Sequence, residues 1–207
     1  IELTRAVRTA LDTMIGELVV EVALKRDAVL DMSIVANPIM HHVLLGIDPT
    51  PLGQAPFTLA TDGPVTTRAA DLDLDARFAE AYLLPCIAGH VGADTAGAIL
   101  AEGPHRGHGR QLLVDVGTNA EIVFGNADHI LAASSPTGPA FEGAQISAGM
   151  RATAGAIERV RIDRETLDPR VKVIGSDVWS NDPLFDMQTT TLDISGICGS
   201  GIIAVMG

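Results

Sequence analysis

LLVDVGTNAEIVFGN, residues 112–126, decides how the chain is read. An apolar run carrying one acid, Asp115, meets Gly117, Thr118 and Asn119. A second apolar run then leads to Asn126, Ala127 and Asp128. Two strands joined by a three-residue turn account for this pattern. Asp115 then ends a hydrophobic strand, where burying a carboxylate needs a reason. A glycine in the turn lets the backbone approach a ligand. Consecutive amides in a tight turn can point at phosphate oxygens, and the Thr118 hydroxyl adds a donor. A carboxylate repels phosphate directly but holds a hydrated Mg2+ that binds it. Gly117, Thr118 and Asn119 therefore read as a phosphate cradle, with Asp115 on the metal side. A plainer reading stands beside it, in which Asp115 only bonds the amides of an ordinary turn. The stretch is not a P-loop, because GxxxxGKS/T is absent. It is not a dinucleotide fingerprint either, because a hairpin follows it rather than a helix.

Outward from this hairpin, residues 111–135 read as strand, turn, strand, turn, strand, with Asn126–Asp128 as the second turn. On the N-terminal side, residues 3–23 read as an amphipathic helix with Leu3, Val7, Leu11, Met14, Leu18 and Val22 inward. Residues 29–36 read as a strand. Asn37 caps the helix that follows, Pro38 is its first residue and Gly46 ends it. Four prolines make 47–80 an irregular excursion until about residue 75. AYLLPCIAG, 81–89, reads as a buried strand or its exit, and 92–103 as an Ala/Gly helix with Asp94 in its first turn. Gly and Pro punctuate 103–111, the best domain boundary. Beyond the three strands, 138–150 reads as a helix carrying Glu142, and IERVRID and RVKVIG as strands. ISGICGSGII opens a last helix, where Gly199, Ser200 and Gly201 suit a nucleotide or phosphate.

The 207 residues are 47% hydrophobic and 19% charged, enough for one large or two small domains with a true core. A net charge of −12 argues against a broad nucleic-acid or anionic-membrane surface. Two isolated cysteines, Cys86 and Cys198, build neither an iron–sulfur cluster nor a cysteine zinc site, and they fit a reducing, cytoplasmic setting. No signal peptide or membrane-length apolar run is visible. The chain starts at Ile1 and stops at Gly207 inside a helical pattern, which suggests a piece of a longer protein. Of His41 and His42, neighbours on a helix, one is expected in the core and one facing a partner or the cleft. His105 and His108 fit a solvated loop, and His90 a structural hydrogen bond. The acidic run 71–77 fits a solvated face, and Trp179 an anchor for a surface loop or a partner.

The order of these parts resembles the actin-like ATPase superfamily, in which two ribonuclease-H-like domains close over a nucleotide. VANPIMHHVLLGIDPTPLGQAPF, YLLPCIAGHVGADTAGAIL, LLVDVGTNAEIVFGN, SSPTGPAFEGAQISAGMRATAGAIERVRI and ISGICGSGII narrow the likeness. Together they resemble the ATPase domain of the reductive activators of corrinoid proteins, thinnest at 60–80 and 163–193. The resemblance implies an α/β fold of two ribonuclease-H-like domains, with mixed sheets flanked by helices, truncated at both ends. Residues 1–104 and 111–207 would be partial domains joined by a linker at 105–110.

The resemblance also implies ATP with Mg2+, the ion held through water by Asp115, and Gly117, Thr118 and Asn119 as the second phosphate hairpin. Asp94 would orient the attacking water or hydroxyl. Glu142 would face the same cleft, and Gly199, Ser200 and Gly201 would lie at the nucleotide. A 2Fe-2S ferredoxin domain, absent from 1–207, would supply the electron that takes a partner corrinoid protein from Co(II) to Co(I), and a homodimer is plausible. The family's first phosphate hairpin and its adenosine-binding Gly-Gly motif are also absent, so the chain alone should bind ATP weakly or not at all. A kinase, a dehydratase activator on the same scaffold, and a non-catalytic scaffold or dimerisation domain are the competing readings. The first lacks a dense polar pocket and the second lacks cysteines. Intact Asp115, Gly117, Thr118 and Asn119 argue against the third.

Overall fold

The structure, a computed structural model, describes residues 2–139 and 146–206. It divides into two compact units, one of residues up to 115 plus 121–134, the other of 116–120 plus 135 onward. Each is treated by itself.

The first unit opens with α1 (Glu2–Glu21), followed by β1 (Asp31–Ile34) and α2 (Pro38–Leu45). Asn37 caps α2 through its side-chain oxygen, which accepts from the Met40 N–H at 2.9 Å, and Gly46 closes it. β2 (Val65–Arg68), β3 (Glu80–Leu83) and α3 (Ala93–Glu102) complete the order. β3 is central, parallel to β1 and antiparallel to β2. β2 corrects the expectation of an irregular excursion up to about residue 75. Four residues are too few to show a period of their own, and pairing with β3 defines the strand. β3 stops at Leu83, well short of residue 89, because Pro85 cannot continue a ladder.

The core gathers Leu44, Ala69, Leu72, Leu74, Ala79, Ala81 and Leu83 under Val7, Leu11 and Ile15 of α1. Leu3, Met14, Leu18 and Val22, expected inward, are exposed. The apolar face of α1 is wider than the core it covers, and Val7, Leu11, Ile15 and Val19, spaced by four, take the inward side. The run 71–77 is likewise more than a solvated face. Leu72, Leu74 and Ala76 are core, and the charged residues of the run make ion pairs. Arg8 meets Asp73 at 2.7 Å, Arg68 meets Asp71 at 2.7 Å and Arg77 meets Asp27 at 2.6 Å.

His41 and His42 are both buried, which corrects the expectation that one faces outward. Nδ1 of His42 lies 2.8 Å from the Pro38 carbonyl, which only accepts, so that nitrogen carries the proton. Nε2 accepts from the Ala60 N–H at 3.0 Å and ties the long loop to α2. Neither ring nitrogen of His41 has a hydrogen-bond partner. Burial lowers its pKa, the neighbouring His42 lowers it further, and the Leu84 backbone opposes both without reaching hydrogen-bond geometry.

The meander β4 (Gln111–Val116), β5 (Asn119–Gly125) and β6 (Ile130–Pro136) forms a sheet in that order, as the sequence suggests. The division between the units runs through these strands. The expectation that β4 is buried around Asp115 does not hold. Asp115 is exposed, and so are Leu112, Val114, Val116, Ile122, Phe124 and Leu131. The Ser134 hydroxyl donates to Glu121 at 3.0 Å, which places these two on one sheet face and Ile122, Phe124 and Leu131 on the other.

The second unit holds β7 (Ile157–Ile162) antiparallel to β8 (Pro169–Val173), then α4 (Phe185–Thr189) and α5 (Gly199–Met206). Residues 140–145 of the helix expected over 138–150 lie outside the described residues. Residues 146–150 form a turn that ends in a bridge between Gly149 and Ile197.

The His41 environment sets a sign for acid sensitivity. A folded-state pKa below the ordinary value of 6.5 means that the unfolded chain binds the proton more readily. The His41 contribution is intact above that value and is lost as pH falls through it toward the lowered one. Urea unfolding between about pH 7.5 and 5.5 should show stability declining with acid, and His41→Met should flatten the slope. Identical slopes in the two proteins would refute the assignment.

Candidate functional site

The turn after β4 is held by its own unit. The Gly117 N–H donates to the Asn119 carbonyl at 2.8 Å. The Thr118 carbonyl accepts from the N–H groups of Thr137 and Gly138, each at 3.1 Å. The Thr137 hydroxyl lies 2.6 Å from the Gly117 carbonyl and 3.0 Å from that of Thr118. Sequence reasoning quoted SSPTGP but gave Thr137 no role. The signal was a hydroxyl directly before Gly138 and Pro139, where chain exits commonly bond back to a turn.

This geometry changes the part Gly117 can play. Its amide is spent inside the turn, so what it offers a ligand is the absence of a side chain. A Cβ there would meet only the Asn119 carbonyl, at an ordinary 3.5 Å, so packing does not demand glycine. Beside it, Asp115 presents an exposed carboxylate. Among the described residues no three His, Cys, Asp or Glu side chains gather as metal ligands.

Asp94 sits in the first turn of α3, half-buried, with one carboxylate oxygen accepting from the Thr95 N–H at 2.8 Å. The helix start is pressed against the exit of β1, and the Ala36 carbonyl accepts from Ala93 at 2.9 Å and Asp94 at 3.3 Å. A Cβ on Gly92 would lie 2.8 Å from both the Ala36 carbonyl and the Asn37 Cα. Burial raises the Cys86 pKa, the Asp94 charge raises it further, and the Ala93 backbone opposes them, so the thiol stays protonated. His90 does not make the expected structural hydrogen bond. It is exposed and its ring lies against Phe57, with centroids 4.3 Å apart.

In the second unit, Gly199 and Gly201 are buried and Ser200 is exposed at the start of α5. A Cβ on Gly201 would overlap the Ile157 carbonyl and lie 2.6 Å from the Ile197 side chain, so contact with β7 already requires glycine there. The Ser200 hydroxyl lies 3.2 Å from the Cys198 thiol. Glu142 lies outside the described residues. Asp94 and Asp115 belong to the first unit, and Gly117, Thr118, Asn119, Gly199, Ser200 and Gly201 to the second. No described helix is long and apolar enough to cross a membrane.

Known proteins match this arrangement. The family profile for the C-terminal domain of RACo, the ASKHA domain, matches residues 110–207, and that for the RACo middle region matches residues 1–107. The chain is 34% identical over 168 residues to the corrinoid activation enzyme RamQ of Eubacterium limosum, covering 81% of this chain and 25% of that protein. It is 32% identical over 141 residues to a Co(II) methylated amine-specific corrinoid protein reductase of Methanosarcina barkeri, covering 61% of this chain and 26% of that one. A solved structure of a reductive activator for corrinoid, iron-sulfur protein matches with a TM-score of 0.78 at 30% identity, over 99% of this chain and 30% of the other. The chain thus spans 25% and 26% of the length of the two curated relatives.

The bonds from Thr137 give the hairpin a testable support. Thr137→Val keeps the shape and removes the hydroxyl, so it should cost about 1 kcal/mol. It should also speed amide hydrogen exchange at residues 117–119, read by mass spectrometry. Unchanged exchange would mean that the turn holds itself.

Proposed function

The chain belongs to the RACo family, and from that membership we propose that the protein carrying it uses ATP to drive reduction of a corrinoid protein from Co(II) to Co(I). The observation that carries the reading is the turn at Gly117, which has no side chain and whose packing demands none; Asp115, two residues earlier in the chain, is exposed. That hairpin lies within the residues matched by the ASKHA profile. The names of the relatives support the substrate. We read residues 1–104 and 111–207 as parts of two ribonuclease-H-like domains joined by 105–110.

In this reading Asp115 would hold a hydrated Mg2+, and the turn at Gly117, Thr118 and Asn119 would let phosphates approach the backbone. Asp94, held by the Thr95 N–H, positions the attacking water. Ser200 and Gly199 extend the contact from the start of α5. Mg-ATP bound there supplies binding and hydrolysis free energy. Each 30 mV of an uphill one-electron step costs about 0.7 kcal/mol, so nucleotide energy is well matched to such a gap. As the family resemblance implies, a 2Fe-2S ferredoxin domain outside residues 1–207 would supply the electron to cobalt. Cys86 and Cys198, buried and far apart in sequence, build no cluster, and as free thiols they fit a cytoplasmic setting.

The test uses the complete gene product with its corrinoid partner. Asp115→Ala should lower the ATP-dependent rate of Co(I) formation, followed by absorbance, by on the order of 100-fold. Thermal stability should shift little, because the side chain is exposed. Full activity in the variant would end the catalytic reading of this hairpin.

A further inference from the structure

The register of the β7–β8 hairpin sets like charges against each other. Arg159 lies opposite Lys172, and Arg161 lies opposite Arg170. Directly paired residues project from the same face of an antiparallel sheet, and like charges so placed repel. One face of this two-stranded sheet therefore carries four cations, while Val160 and Val171, also paired, occupy the other. With Arg151 and Arg164, six of the chain's 14 basic residues fall between positions 151 and 172, beside four acids, Glu158, Asp163, Glu165 and Asp168. The chain as a whole carries −12.

The cations are poorly compensated inside the fold. Among the described residues, the ion pair made by the four is Arg170 to Asp163, at a long 3.8 Å between partly exposed side chains. Such a pair contributes little. Arg159, Arg161 and Arg170 are exposed, and Lys172 is half-buried. Arg161 stacks over the ring of Trp179 with its guanidinium carbon 4.5 Å from the centroid. The Ser180 N–H donates to the Val171 carbonyl at 2.8 Å, so this segment lies along β8 and holds the Trp in place. The stacked guanidinium is thereby fixed flat, with its edge available for bidentate bonding.

We propose that this cationic face is a docking surface for an acidic patch on a partner protein. Repulsion between opposed cations costs stability in the free chain, and carboxylates arriving from outside relieve it. Three of the four groups are arginines, whose forked donors match carboxylates in pairs. The chain's overall negative field disfavours long polyanions such as nucleic acid at a distance. A protein with a local acidic patch meets that field over a much smaller charge. The inference goes beyond the ATPase reading and does not depend on it.

Trp179 is the chain's single tryptophan and sits in the patch, so its fluorescence reports occupancy directly. The probe is an octaglutamate peptide titrated into the chain at about 50 mM salt, with a single-stranded DNA oligonucleotide of equal charge beside it. Trp179 emission should change saturably with the peptide, and binding should weaken steeply toward about 300 mM salt. The triple variant Arg159→Gln, Arg170→Gln, Lys172→Gln leaves Arg161 on Trp179. It should bind the peptide at least about 10-fold more weakly. Its urea midpoint should stay level or rise, because the opposed charges are gone. A fall in that midpoint would make the cations structural and overturn the proposal. So would an unchanged peptide affinity, a preference for the oligonucleotide, or salt-sensitive self-association of the free chain that the variant abolishes.

Discussion

A side chain at position 92 has nowhere to go. The start of α3 is pressed so closely onto the exit of β1 that the Ala36 carbonyl caps the helix and the Asn37 Cα fills the space a Cβ would need. That contact fixes where α3 begins, and with it Asp94, the buried Thr95 and the environment of Cys86. The second unit repeats the device. Gly201 at the start of α5 lies against the Ile157 carbonyl, and the Cys198 N–H donates to that same oxygen at 3.0 Å. In both units a glycine at a helix start lies against backbone of a strand or its exit, which leaves no room for substitution.

The two places differ from the hairpin at 115–119 in a way that bears on function. Gly92 and Gly201 are explained by packing. Gly117 is not, because a Cβ there would make only an ordinary contact. A glycine that packing does not demand, in a turn pinned by Thr137, is the observation on which the proposed phosphate role rests. The same comparison weighs against treating every Gly-rich helix start as a phosphate site on sequence alone.

What the sequence discloses follows the range of the forces involved. α2 is legible from Asn37, Pro38 and Gly46 because caps act over three or four residues. The meander is legible because its turns are local chemistry, with Asn126 Oδ1 accepting from Asp128 at 3.1 Å and His129 at 3.2 Å. β2 is not legible, because Val65–Arg68 is a strand only through pairing with β3. Burial is the least legible. The sides of α1 that face inward, the double burial of His41 and His42 and the exposure of Asp115 all depend on elements distant in sequence. The candidate hairpin was visible as a motif, but its support by Thr137, 19 residues beyond Thr118, was not.

Charge shows the same limit more sharply. A net −12 describes the whole chain and speaks against a broad anionic partner. It conceals that acids and bases are sorted differently in the two units. Around 71–77 each acid has a basic partner, Arg68 nearby for Asp71 and Arg8 and Arg26 of distant segments for Asp73 and Asp75. Along β7 and β8 the cations are set against one another. A fold that pairs the acids of one run and opposes the bases of one hairpin does not follow an average. Self-repulsion on an exposed sheet face costs stability in the free chain, and the proposed acidic partner would relieve it.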